Sequence, residues 1–166
     1  MDVYEAMEKT DPARIGTVEP GSEEERAAIS RFTDFVSVMS PEIAREKTLS
    51  VYAENAYLND TLAQITGAEA IRDYFVSSLG GAESVTVEVT DVAVSNGNYY
   101  FRWIMDIQYK KLKKGEVTRS VGMSHIRFDR EGKVIFHNDY WDSTSGFFEH
   151  VPVVGWLIGK VKARVH

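Results

Sequence analysis

Residues 84–112 read SVTVEVTDVAVSNGNYYFRWIMDIQYKKL. Apolar and polar side chains alternate through this stretch, the signature of strands with one buried face. Asn96-Gly97 interrupts the alternation, and that dipeptide readily supplies the positive φ angles of a two-residue hairpin turn. The stretch therefore predicts two long antiparallel strands. Downstream, a turn at Lys113-Lys114-Gly115 leads into EVTRSVGMSHIRFD, and a turn at REGK leads into VIFHNDYWD. A meander of four long strands results. Gly115, Gly122 and Gly132 read as turn or bulge residues within it.

Upstream of residue 84 the apolar spacing is helical. Ser22 and Glu25 form a capping box, after which Ala28, Phe32, Phe35, Val36 and Met39 make one apolar face. Ser40-Pro41 opens a second helix that runs to about Tyr52, because proline at the first helical position loses no needed N–H. NAYLND, ending at Asp60, reads as a short strand. TGAEAIRDYFVSSLGG reads as a third helix, with a Thr66/Glu69 capping box at its start and Gly80-Gly81 at its end. Residues 1–21 hold two prolines and two glycines without sustained periodicity, which predicts a flexible lead-in. At the far end, residues 151–166 form an amphipathic, basic segment following a break at Pro152.

Helices first and a long meander afterwards is an α+β order, not the alternation that builds a parallel sheet. Three helices packed in a strongly curved, mostly antiparallel sheet make a cone-shaped barrel with an apolar interior, a natural site for a small ligand. The 166 residues suit one domain. A composition of 43% hydrophobic and 27% charged residues is that of a globular chain. A net charge of −6 argues against a nucleic-acid surface. The polar, acidic start is not a secretory signal, and no apolar run reaches the ~18–20 residues that span a bilayer, so the expectation is a cytoplasmic protein. The chain has no cysteine, which removes thiolate nucleophiles and cysteine metal sites. No histidine pair stands at ligand spacing, and neither a metal nor another cofactor is expected.

The helix pair ending in VYAENAYLND, then ITGAEAIRDYF, FRWIM, GMSHIRFDREGKV and HNDYWD, resembles in order and spacing the nuclear transport factor 2-like superfamily. That superfamily is similar in fold to ketosteroid isomerases and SnoaL-like polyketide cyclases. The resemblance covers residues 24–150, and the DYWD strand followed by PVVG resembles one group of its members. It implies a catalytic aspartate at Asp60. The isomerase oxyanion donors are missing: Phe32 and Phe35 stand where a tyrosine is wanted, and Ser124 where an acid is. In the cyclases an aspartate on the last strand is the acid/base, and Asp142 matches it best, whereas a simple strand register favours Asp139. Epoxide hydrolases of this fold use an Asp-Arg-Asp set, and the i, i+4 spacing of Arg102 and Asp106 does not match it. Those two residues are instead expected to pair along their strand.

Period two puts Ile135, His137, Asp139 and Trp141 on one face of the last strand, and Val134, Phe136, Asn138, Tyr140 and Asp142 on the other. Both faces cannot line the cavity without a bulge. The expected pocket comprises Phe32, Phe35, Tyr52, Tyr57, Phe75, Phe101, Trp103, Met105, Ser124, Ile126, His137, Tyr140 and Trp141. If Ser124, Ile126 and Phe128 point inward, His125 points out. Asp60 reads either as a proton shuttle in an apolar cone or as a turn residue capping backbone N–H groups. The expected function is binding of a small apolar molecule, with general acid–base chemistry next to a carbonyl, of cyclase, isomerase or dehydratase (lyase) type. The alternative is a non-catalytic binding or interaction module. A homodimer through the outer sheet face is expected, with residues 151–166 as lid or subunit contact rather than membrane anchor.

Overall fold

The computed structural model describes residues 1–111 and 115–163. Lys113 and Lys114 of the expected turn, and Arg164 of the tail, lie outside them. The helices are α1 (Val3–Lys9), α2 (Pro12–Ile15), α3 (Glu23–Ser37), α4 (Pro41–Val51) and α5 (Ala68–Gly80), followed near the end by α6 (Ser143–Gly146) and α7 (Pro152–Lys162). The strands are β1 (Tyr52–Asn59), β2 (Gln64–Thr66), β3 (Ala82–Ser95), β4 (Asn98–Tyr109), β5 (Val117–Phe128) and β6 (Val134–Trp141). They form one sheet in the order β2-β1-β6-β5-β4-β3. Every pairing is antiparallel except β1 with β6. The fold is the expected curved α+β cone.

Local chemistry explains most boundaries. Asn96 and Gly97 take φ of 49° and 74°, the left-handed pair of a tight hairpin between β3 and β4. Ser22 Oγ accepts from Glu25 N at 3.0 Å, and the Glu25 carboxylate reaches back one residue further than expected, to Gly21 N at 2.6 Å. Its other oxygen accepts from Tyr99 OH at 2.7 Å, tying α3 to β4. Pro152 opens α7 at the first-turn position that tolerates proline, so it begins a helix there instead of only breaking one.

The concave face of the sheet and helices α3–α5 share one core, with Phe32, Phe35, Tyr52, Leu58, Ile71, Tyr99, Phe101, Ile126 and Phe128 buried in it. Phe32 meets Phe101 edge to face at 4.8 Å. Truncating such a ring to alanine typically costs about 3–5 kcal/mol.

Several local expectations are corrected. Residues 1–21 are not a loose lead-in along their whole length. Asp2 caps α1 through Glu5 N, and Asp11 caps α2 through Ala13 N. Ala6 and Val18 are buried. α1 lies on the outer sheet face, where Ala6 packs with Tyr57 and Phe136 and Val3 and Met7 close the cluster. Thr66 belongs to β2, and Gly67 caps α5 with no side-chain bond, so the Thr66/Glu69 box does not form. Arg102 pairs across to Asp91, and Asp106 pairs with Arg119 on β5. Adjacent strands bring those partners closer than two turns of pleat along one strand. Gly122 is neither turn nor bulge: a Cβ there would stand 2.3 Å from Trp103 Cη2, so the glycine makes room for the indole.

Candidate functional site: a carboxylate cavity in the cone

The cone encloses a cavity of about 250 Å³ between the concave sheet face and helices α3 and α5. Pleat alternation decides its sheet wall. Val85, Val87 and Val89 of β3 line it with Phe101, Trp103, Met105 and Ile107 of β4, and every second residue of β6 completes it: His137, Asp139 and Trp141. The helices contribute Phe32, Val36 and Met39 from α3 and Tyr74, Phe75, Ser78 and Leu79 from α5. Of the expected pocket, Phe32, Phe75, Phe101, Trp103, Met105, Ser124, His137 and Trp141 line the cavity, as do Asp60 and Asp139.

The other expected residues stand elsewhere. Phe35 is core, with its ring near Tyr52 and Phe75. Tyr52 lies buried behind His137, one layer from the cavity. Tyr57 is on the outer face, stacked on Phe136 under α1. Ile126 is packed in the core. Tyr140 points outward and is 48% exposed. Asp142 is not in the cavity either. It ends the strand and caps α6, accepting from Thr144 N and from Ser145 N and Oγ. Bonds from Ser145 and Thr144 hold its carboxyl below the usual range. The irregularity of β6 lies at Ile135, where Val134 joins the inner core and Phe136 the outer cluster instead of sharing a face. From Phe136 onward the pairing with β5 is regular, so strand alternation selects Asp139.

A buried chain of hydrogen bonds holds Asp139. The Trp103 indole N–H can only donate, and its 3.0 Å bond makes Ser124 Oγ an acceptor. The serine proton is then left for Asp139 Oδ1, at 2.5 Å. The same oxygen takes His137 Nε2–H at 2.8 Å, leaving Nδ1 to accept from Tyr52 OH at 2.8 Å. The tautomer is thus assigned from its neighbours. Burial, then the Asp139 charge, raises the Tyr52 phenol well above its ordinary value, which keeps the end of the chain protonated. Both imidazole nitrogens are occupied, so His137 positions Asp139 rather than meeting a ligand. Asp139 Oδ2 has no hydrogen bond among the described residues.

Asp60 stands at a second polar point. Its Oδ1 accepts from Leu62 N and Ala63 N at 3.0 and 2.9 Å, the capping role its turn position predicts. Its Oδ2 accepts from Tyr74 OH. Trp141 Nε1 donates to Asp60 O at 2.8 Å and pins the turn to β6. Thr61, next in the chain, takes φ of 73°, rare for a β-branched residue. Burial, the Asp60 bond and the charges of Asp60 and Asp139 all raise the Tyr74 phenol, so it stays protonated. Tyr74 was not among the expected residues. Its signal lay in α5, where Ile71, Tyr74, Phe75 and Ser78 recur at i, i+3, i+4 and i+7.

His125 points outward as expected. Its Nε2 donates to Asn98 Oδ1 at 2.8 Å, since that oxygen also accepts from Arg127 Nε at 2.7 Å. Burial, then Arg127 and His137, lowers its pKa to about 4. The α7 residues are absent from the cavity lining among the described residues, and Trp156, Leu157 and Val161 of that helix stand exposed. No described helix is long and apolar enough to cross a membrane.

Solved structures of similar fold exist at low identity. A Catenulispora acidiphila DSM 44928 protein of ketosteroid isomerase-like fold, in complex with trimethylamine, aligns at TM-score 0.61 and 15% identity, covering 72% of this chain and 88% of that one. A candidate SnoaL-like polyketide cyclase from Shewanella putrefaciens CN-32 aligns at 0.61 and 13%, covering 75% and 93%. An LEH-like epoxide hydrolase of M. tuberculosis aligns at 0.59 and 12%, covering 78% and 86%. At such identities the likeness is one of fold alone. No curated protein matches the chain. The SnoaL-like domain model matches residues 44–137, more than half of the sequence, from within α4 to His137 of β6. The chain therefore belongs to the SnoaL-like domain family.

Proposed function

We propose that the cone binds one small, largely apolar molecule and that Asp139 exchanges a proton with it, making the chain a cofactor-independent general acid–base enzyme. One observation carries the reading: a carboxylate whose Oδ1 is held by Ser124 and His137 while its Oδ2 is left free on an apolar wall. Two fixed donors orient the group, and the free oxygen is positioned to take a proton. Each side-chain donor on the wall already serves a protein acceptor, so a developing oxyanion finds no partner. The suitable substrate disperses charge over its own conjugated system. A carbonyl compound of that kind retains the cyclase, isomerase or lyase chemistry expected from the resemblance. The Catenulispora protein's complex with trimethylamine supports small-ligand binding in this fold.

A non-catalytic binding module is favoured by the same satisfied donors. The two readings separate on 5-nitrobenzisoxazole, a probe whose ring opens on loss of one C–H proton and which carries the charge itself. Asp139→Asn is expected to lower kcat/KM about 10²–10⁴-fold, with Asp142→Asn near wild type. Equal rates for wild type and Asp139→Asn would leave the binding module. Pairing of two chains through the outer sheet face belongs to the same proposal. Val121, 62% exposed, stands there between the Asp91–Arg102 and Asp106–Arg119 ion pairs, and Tyr140 lies in the cross-strand row of the first.

A further inference from the structure

The hydrogen-bond inventory of the cavity wall is one-sided. Trp103 donates to Ser124, Ser124 to Asp139, and Trp141 to Asp60 O. Tyr74 donates to Asp60, Ser78 to Tyr74 O, and Tyr109 to Gly146 O. His137 is committed at both nitrogens. Among the described residues, every side-chain donor on the wall is thus spent inside the protein. What the wall still presents are acceptors: Asp139 Oδ2, with no bond, and Asp60 Oδ2, with one of the two it can take. Around these two carboxylates the wall is aromatic and aliphatic.

A neutral ketone, ether or ester brings only acceptors to such a wall, and entering would strip it of water without replacing a bond. A molecule that brings an N–H donor and a positive charge meets the carboxylates with the stronger, charge-assisted kind of hydrogen bond, and aromatic faces favour a cation over a neutral group. At about 250 Å³ the cavity lies just under the usual ligand-pocket range of roughly 300–1,000 Å³, so the ligand is small. We propose that the ligand of this cone is a protonated apolar amine, carrying its cation on the cavity's carboxylates and its hydrocarbon part against the aromatic walls. This rests on the first half of the proposed function, that the cone holds a small molecule, and gives that molecule a different class from the carbonyl substrate of its second half. It does not need turnover.

The test compares an ammonium and a ketone of equal non-hydrogen atom count and opposite hydrogen-bonding character, with a quaternary ammonium one methyl larger as control. Trp156, which is exposed, is replaced in a Trp156→Phe background, leaving Trp103 and Trp141, both on the cavity wall, as fluorescent reporters. At neutral pH, N,N-dimethylbenzylammonium is expected to bind at least about tenfold tighter than phenylacetone, the margin of one charge-assisted hydrogen bond. Benzyltrimethylammonium, a cation without N–H, is expected between them. In Asp139→Asn the amide adds a donor and removes a charge, so the preference is expected to vanish or invert. Phenylacetone binding as tightly as the amine in the parent would overturn the inference and leave the small-ligand reading standing. No response to any of the three at millimolar concentration would overturn both.

Discussion

Asp139 and His125 show how neighbours on adjacent strands set the chemistry of one side chain. Asp139 is held by donors from β5 and β6, with its free oxygen on the cavity. His125 lies on the opposite sheet face, among Tyr100, Phe136, Arg127 and Asn98. Its pKa is lowered to about 4 from the ordinary 6.5, so the unfolded chain binds a proton there that the native state refuses. Stability contributed by the neutral ring is present above pH 6.5 and is lost as pH falls toward 4. The expected outcome is a melting temperature that drops over that window, with a shallower drop in His125→Gln. Equal slopes for the two proteins would contradict it. The outward direction of His125 was legible from strand alternation. Its low pKa was not, because Arg127 and Asn98 reach it only across the folded sheet.

Helix α1 and the sheet it covers pose the same question among elements. Arg127 donates from Nη1 to Met7 O and to Thr10 Oγ1, at 2.7 and 3.1 Å, with its guanidinium 5.2 Å from the Phe136 ring centre. The guanidinium thus satisfies orphan carbonyl and hydroxyl oxygens at the end of α1 and holds the helix to β5 and β6. Arg127→Met keeps the stem and removes the fork. It is expected to raise hydrogen exchange across residues 3–10 roughly tenfold or more, while β5 and β6 amides keep their protection. Unchanged exchange in α1 would mean that the apolar cluster of Ala6, Tyr57 and Phe136 suffices. The hairpin and the three central helices were legible because period, caps and Asn96-Gly97 are local signals. The lead-in was misread, because seven- and four-residue helices carry too little periodicity and their stability comes from docking.

For the whole molecule, cavity and C-terminal segment are separable. α7 packs on the short 3-10 turn at Phe148–His150, and none of its described residues lines the cavity. Ending the chain after His150 is therefore expected to leave probe binding within about twofold and to shift the melting temperature by only a few degrees. A large loss of binding would restore the role of residues 151–166 as a lid. The sequence by itself determined the fold class, the strand meander, the cone and most aromatic walls. Those follow from periodicity and turn chemistry, which act between near neighbours in the chain. Only the tertiary structure decided that Asp139 faces inward while Asp142 caps a helix, that Tyr74 bonds Asp60, and that among the described residues every side-chain donor on the wall is spent. Strand register across β5 and β6, and the approach of α5 to the turn after β1, join residues far apart in sequence, and no local pattern encodes which polar atoms will meet there.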